Sequence, residues 1–150
     1  MNSEFARSGT PPVQFARPRI PLCGRATYDH RMTTQRLRIV PSQFAVEHLP
    51  NSTFPEDDEW IALVRAPEGL TAIREAPAWA EGEIWKGFYG DAAHSLNQPG
   101  MLAAVIGPLA ECGIPVFVAS TYHADLVLVP AHRLDEATDA LRDAGHRIAE

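Results

Sequence analysis

The chain has 150 residues, 45% of them hydrophobic and 21% charged, which is the size and balance of one ordinary globular domain. Its formal net charge of −6 is uneven: residues 1–31 carry five arginines against Glu4 and Asp29, for +3, and residues 32–150 carry eight Lys and Arg against 17 Asp and Glu, for −9. That acidic body argues against nucleic acid as a partner, two cysteines (Cys23 and Cys112) exclude a disulfide framework, and no apolar run approaches the roughly 18 residues of a membrane helix; the expectation is a cytoplasmic protein with no membrane partner.

Residues 1–31 are broken by Pro11, Pro12, Pro18 and Pro21 and read as a disordered arm or leader. Regular patterning begins at Leu37. Leu37-Arg38-Ile39-Val40 predicts a short strand, and Phe44 to Leu49 a second one closed by Pro50. Glu56 to Glu59 is an acidic loop. Trp60 to Val64 and Leu70 to Arg74 are paired strands around the turn Pro67-Glu68-Gly69. Pro77 to Gly82 is a linker in which Trp79 is expected to cover the sheet edge.

The second half is more regular. Ile84 to Tyr89 reads as a strand. A helix follows from about Pro99 or Gly100, with Asn97 able to cap it and Leu102, Val105, Ile106 and Leu109 on one face. Gly113 ends it in the left-handed conformation. Val116 to Ala119 and Leu126 to Val129 form a hairpin, stopped by Pro130. A second helix carries Leu134, Ala137, Leu141 and Ala144 on one face and is capped by Gly145; His146 to Ala149 returns as a last strand. The order β-α-β-β-α-β is ferredoxin-like, with both helices on one face of an antiparallel sheet. The expected class is α+β: a ferredoxin-like unit over 83–150, preceded by a strand-rich half over 36–82.

No hydrolase elbow, phosphate loop or metal-ligand spacing is present, and no acid/base pair or nucleophile can be placed. Cys112 lies before a helix end rather than at a helix start, which works against a reactive thiolate; it reads as a small buried apolar residue. The chain is expected to be no enzyme and to carry no cofactor or metal. The turn Ser120 to Asp125 sets small polar groups and one carboxylate between two apolar strands, which suits binding a small molecule. A zwitterion needs an anion site and a cation site close together. Backbone N–H groups at the helix start after Asn97 suit a carboxylate, and Asp125, or Glu111 at the helix end, suits an amino group. In the bland alternative Asn97 only caps the helix and Asp125 only closes the hairpin.

Three segments resemble the ACT domain family of amino-acid-binding regulatory modules: Asn97-Gln98-Pro99-Gly100-Met101-Leu102, Glu111-Cys112-Gly113-Ile114, and Thr121-Tyr122-His123-Ala124-Asp125 with the strand after it. Over about 36–150 the chain looks like small bacterial ACT proteins related to the CASTOR arginine sensors. Asn97 stands where many ACT domains have Asp, and Ala124 replaces a larger residue of the sensors. The resemblance implies a non-catalytic homodimer. It also implies that Gly113, Ile114, Thr121, Tyr122, Ala124 and Asp125 line a pocket between two ACT units that takes an amino acid or similar small ligand. The alternative implied by the same fold is a dimerisation or protein-interaction module with a vestigial pocket.

Overall fold

A computed structural model describes residues 33–50, 54–55, 60–92 and 98–149. The arm 1–31, the acidic loop 56–59 and Asn97 lie outside these described residues. Among the described residues seven strands form one sheet with two α-helices: β1 (Arg36–Leu49), β2 (Trp60–Ala66), β3 (Gly69–Ala76), β4 (Trp85–Gly90), α1 (Met101–Glu111), β5 (Phe117–Ser120), β6 (Asp125–Pro130), α2 (Leu134–Asp143) and β7 (Arg147–Ala149). No helix among the described residues is long and apolar enough to cross a membrane.

The order across the sheet is β2-β3-β1-β4-β6-β5, with β7 parallel to the start of β1. This corrects two expectations. The strands foreseen at 37–40 and 44–49 are a single strand, β1, with a register break between Ile39 and Gln43. Pro41, which has no N–H to give a ladder, sits in that break, and Lys86 donates its ammonium to the carbonyls of Pro41 (2.8 Å) and Ser42 (3.3 Å). A ferredoxin-like order would also set β7 beside β4. Instead the first turn of pairing in β1 lies between them: Leu37 is opposite Gly90 on one side and Ile148 on the other. The break lets one long strand take β7 as its neighbour in its first half and β3 in its second.

The sheet is apolar on both faces. Leu37, Phe88, Val127 and Val129 point to the face covered by Val105 and Leu109 of α1 and by Ala137 and Leu141 of α2. Phe44, Ile73, Leu126 and Leu128 point to the other face and form a second core. Burial on both sides explains why Leu126 to Val129 reads as a continuous apolar run and not as an alternation. Gly87 makes the second core possible, because a Cβ there would come within 2.9 Å of Leu126 and 3.1 Å of Phe44.

Ile61 of β2 and Leu126 of β6 line the same cleft on that face. They lie four strands apart, which in a flat sheet is on the order of 19 Å. The sheet therefore curls, with β2, β3 and the second half of β1 folding over β4 and β6. Trp79 does not cover the edge: it is 83% exposed, since its linker leaves the sheet after Ala76.

The helix ends follow local chemistry. Gly113 (φ 63°) and Gly145 (φ 94°) are left-handed where each helix stops. The cap at the start of α1 is Gly100, also left-handed (φ 85°), with no side-chain cap bond. Within α1, Pro108 has no N–H, so the carbonyl of Ala104 loses its helical donor. Buried His146 replaces it. Its Nε2 lies 3.0 Å from that carbonyl, and its Nδ1 accepts the Gln35 N–H at 3.1 Å. A carbonyl only accepts, so Nε2 carries the hydrogen and the ring is the neutral Nε2–H tautomer.

His146→Leu is expected to cost about 2–3 kcal/mol, because it leaves a buried acceptor and a backbone donor unpaired. Pro108→Ala gives Ala104 a helical donor again, so the His146→Leu cost should shrink in that background. Equal costs in both backgrounds, measured by urea unfolding as a double-mutant cycle, would refute the pairing.

Candidate functional site

A groove lies between the start of α1 and the β5–β6 hairpin, with a volume of about 430 Å³. Gln98, Gly100, Met101, Leu102, Ala103 and Ile106 form the helix wall; Ser120, Thr121 and Asp125 form the hairpin wall. Left-handed Gly100 turns the chain into the helix. The first bond inside α1 is from Ala104 N–H to Gly100 C=O at 3.0 Å, so the N–H groups of Met101, Leu102 and Ala103 have no partner within the helix. The first turn holds no acidic side chain. This end of the helix thus presents partial positive charge to the groove. Gln35 steadies the turn by donating its side-chain amide to Met101 C=O at 2.7 Å.

The opposite wall is built by a closed hairpin. Ser120 and Asp125 are cross-strand partners, and the Ser120 hydroxyl donates to Asp125 Oδ1 at 2.6 Å. Thr121 closes the loop: its N–H (2.8 Å) and Oγ1 (2.7 Å) both reach Ala124 C=O, and Oγ1 accepts the Ala124 N–H at 3.1 Å. With its proton so used, Thr121 Oγ1 is the acceptor for Tyr89 OH at 3.2 Å.

The residues singled out from the sequence are only partly brought together. Thr121 and Asp125 face the groove. Ala124 is in the same turn but buried, against Gly90. Tyr122 is 71% exposed, its ring edge-on to His123 at 4.9 Å, and it is not in the groove wall. Glu111, Gly113 and Ile114 are at the far end of α1, about 16 Å along the helix from its start. Glu111 and Gly113 are exposed there, and Ile114 is part of the first core.

Cys112 is exposed, contrary to the buried position expected of it. It occupies the helix C-cap, where its carbonyl accepts from Arg133 Nη2 at 3.3 Å. Arg133 also forks onto Glu136 (2.5 and 2.8 Å), and that hydrogen bond holds the Glu136 carboxyl below its ordinary range. No group of three or more His, Cys, Asp and Glu could hold a metal among the described residues. The turn Ser120 to Asp125 and the helix entry Asn97 to Leu102 were both singled out in the sequence, but Gln98, Gly100 and Ser120 were not named among the site residues. Ser120 could have been found, since a four-residue loop between strands pairs it with Asp125.

Known structures share this fold. An Agobacterium tumefaciens protein, Atu0741, is 24% identical, with a TM-score of 0.67 over 78% of this chain and 93% of its own. A Vibrio cholerae protein of unknown function, VC0802, is 23% identical, with a TM-score of 0.63 over 81% of this chain and 94% of its own. At these identities the likeness speaks for the fold alone. Among curated proteins, none matches. The family match is local: residues 82–143, from the lead into β4 to the end of α2, match the ACT domain family.

Proposed function

We propose that the protein is a non-catalytic regulatory module that binds an amino acid, or a similar small zwitterion, in the groove between α1 and the β5–β6 hairpin. ACT domains are generally regulatory and commonly bind small ligands, and an ACT domain match covers this segment. The observation that carries the reading is the pairing of opposite charges across one groove. The start of α1 offers N–H groups to a carboxylate, and Asp125 on the facing wall offers an oxygen to an ammonium. Two copies paired side by side would complete the site, and the ligand would act by favouring the paired arrangement that fits it. Asn97, Glu111, Gly113, Ile114, Tyr122 and Ala124 contribute to the site in this reading only if the partner copy brings them to it.

The test is thermal unfolding of the full chain against the twenty amino acids, arginine included, with wild type and Asp125→Ala. A ligand at 100 times its Kd should stabilise by roughly 2.7 kcal/mol. The variant should fold, since its partner Ser120 is exposed, and should lose the shift. A folded dimer that no compound stabilises would refute the sensor and favour a dimerisation module.

A further inference from the structure

The opposite face of the sheet holds a second cavity, about 210 Å³ in volume, between the two arms of the curled sheet. We propose that this cleft, which shares Thr121 alone with the α1 groove, is a second ligand site, and that it takes a small aryl or branched aliphatic carboxylate.

Three observations carry this. First, Val40, Phe44, Ile61 and Leu126 make its wall apolar, and several of its neighbours on the same face, among them Val46 and Trp85, remain only partly buried. The interior mouth of a curled or barrel-like sheet is a common position for a small-molecule site. Second, its size is selective. Apolar cavities of about 150 Å³ accept benzene, so a cleft of about 210 Å³ has room for one ring or branched chain and a carboxylate. Third, one cation stands at its rim. The Arg38 Cζ lies over the Tyr89 ring, 5.3 Å from its centre, and Arg38 makes no ion pair among the described residues. That cation–π contact leaves the N–H groups of its guanidinium available to a planar, two-oxygen acceptor.

The one carboxylate in the cleft, Glu75, already accepts the Ser42 hydroxyl at 2.9 Å. It repels a second anion, so the ligand carboxylate is confined to the Arg38 side and its apolar body points toward Phe44 and Leu126.

The experiment is titration of the full-length protein with phenylacetate and 3-methylbutyrate by calorimetry, alongside phenylacetamide as the neutral isostere. Backbone amide shifts recorded in parallel report the location. Saturable binding of both acids is expected, at least tenfold weaker for phenylacetamide and at least tenfold weaker in Arg38→Gln. Shifts should cluster at Val40, Ile61 and Leu126 and spare Leu102 and Ala103. Arg38 is exposed, so its variant should fold. Ile61→Trp, also at an exposed position, should fill the cleft and abolish binding while the protein still melts cooperatively. Absence of saturable binding, equal binding of acid and amide, retained affinity in Arg38→Gln, or shifts confined to α1 would each overturn the proposal.

Discussion

A fragment comprising residues 83–150 alone is expected to be unfolded, although it contains every element of a β-α-β-β-α-β unit. In the whole chain β1 stands between β4 and β7, pairing with Gly90 through Leu37 on one side and with Ile148 on the other. Removing β1 leaves β7 with no ladder and β4 paired with β6 alone, and β7 has only three residues with which to bridge the gap. Leu37 also leaves the first core. Gln35 leaves with it, so His146 Nδ1 loses its donor and Met101 its amide contact. Against a typical net stability of about 5–15 kcal/mol, losses on this scale exceed what a unit of this size can spare. Circular dichroism and amide-proton dispersion of the fragment check this. A cooperative melt and a dispersed spectrum would show that 83–150 stands by itself and that β1 is an accessory. Adding a peptide of residues 33–50 in trans should restore structure if the expected result holds.

Phe88→Ala is the single substitution expected to cost the most, about 3–5 kcal/mol. Phe88 is fully buried in β4, the strand between β1 and β6, and its ring packs in the cluster that holds α1 and α2 to the sheet through Leu109 and Leu141. Neighbours on a sheet cannot collapse far into the space a ring leaves, so most of the cavity remains. The Tm should fall by on the order of 10–20 °C, and the urea midpoint should fall with an unchanged slope. A loss under about 1.5 kcal/mol would mean that the helices do not rest on this ring. The change lies on the helix face, while Tyr89 next to it lies on the cleft face. Carboxylate binding to the cleft should therefore survive in whatever fraction stays folded.

How far the fold was legible in the residues depends on the distance over which each interaction acts. The hairpins were readable because their signals are local: Pro67-Glu68 joins two partners in register from Ala66 and Gly69, and Gly113 and Gly145 mark the helix ends they occupy. The helix faces were readable from spacing: Val105, Leu109, Ala137 and Leu141 are buried in the first core. The place of β1 was not readable. Pro41 looks like a strand terminator in isolation, and only Lys86, 45 residues away, supplies the donor that makes a break there tolerable. Nor could the role of His146 be seen, because the missing N–H it compensates belongs to Pro108 on another element.

The candidate site divides in the same way. Thr121 and Asp125 sit in one short loop, so the hairpin alone brings them to the groove. Gly113 and Ile114 were joined to them by resemblance and Glu111 by its charge, and the length of α1 separates all three from them within one chain. Gly100 reads as helix flank until its left-handed conformation shows that it is the cap.

The parallel pairing of β1 with β7 also sets a clock. These partners lie about as far apart as Gln35 and His146, 111 residues. At ribosomal rates of about 5–20 residues per second, β1 waits roughly 5 to 20 seconds during synthesis before β7 exists. Its second half can shelter against β3 almost at once, but Leu37 and Ile39 cannot reach their final neighbours until the last helix has emerged. Until β4 emerges the first half of β1 is unpaired, and until β7 emerges one of its two edges stays open, the kind of segment that seeks strands on other chains. Pro41, which weakens a ladder at the boundary between the two halves, then limits how far a wrong pairing can propagate. The same residue that interrupts the register of the finished sheet guards the nascent one.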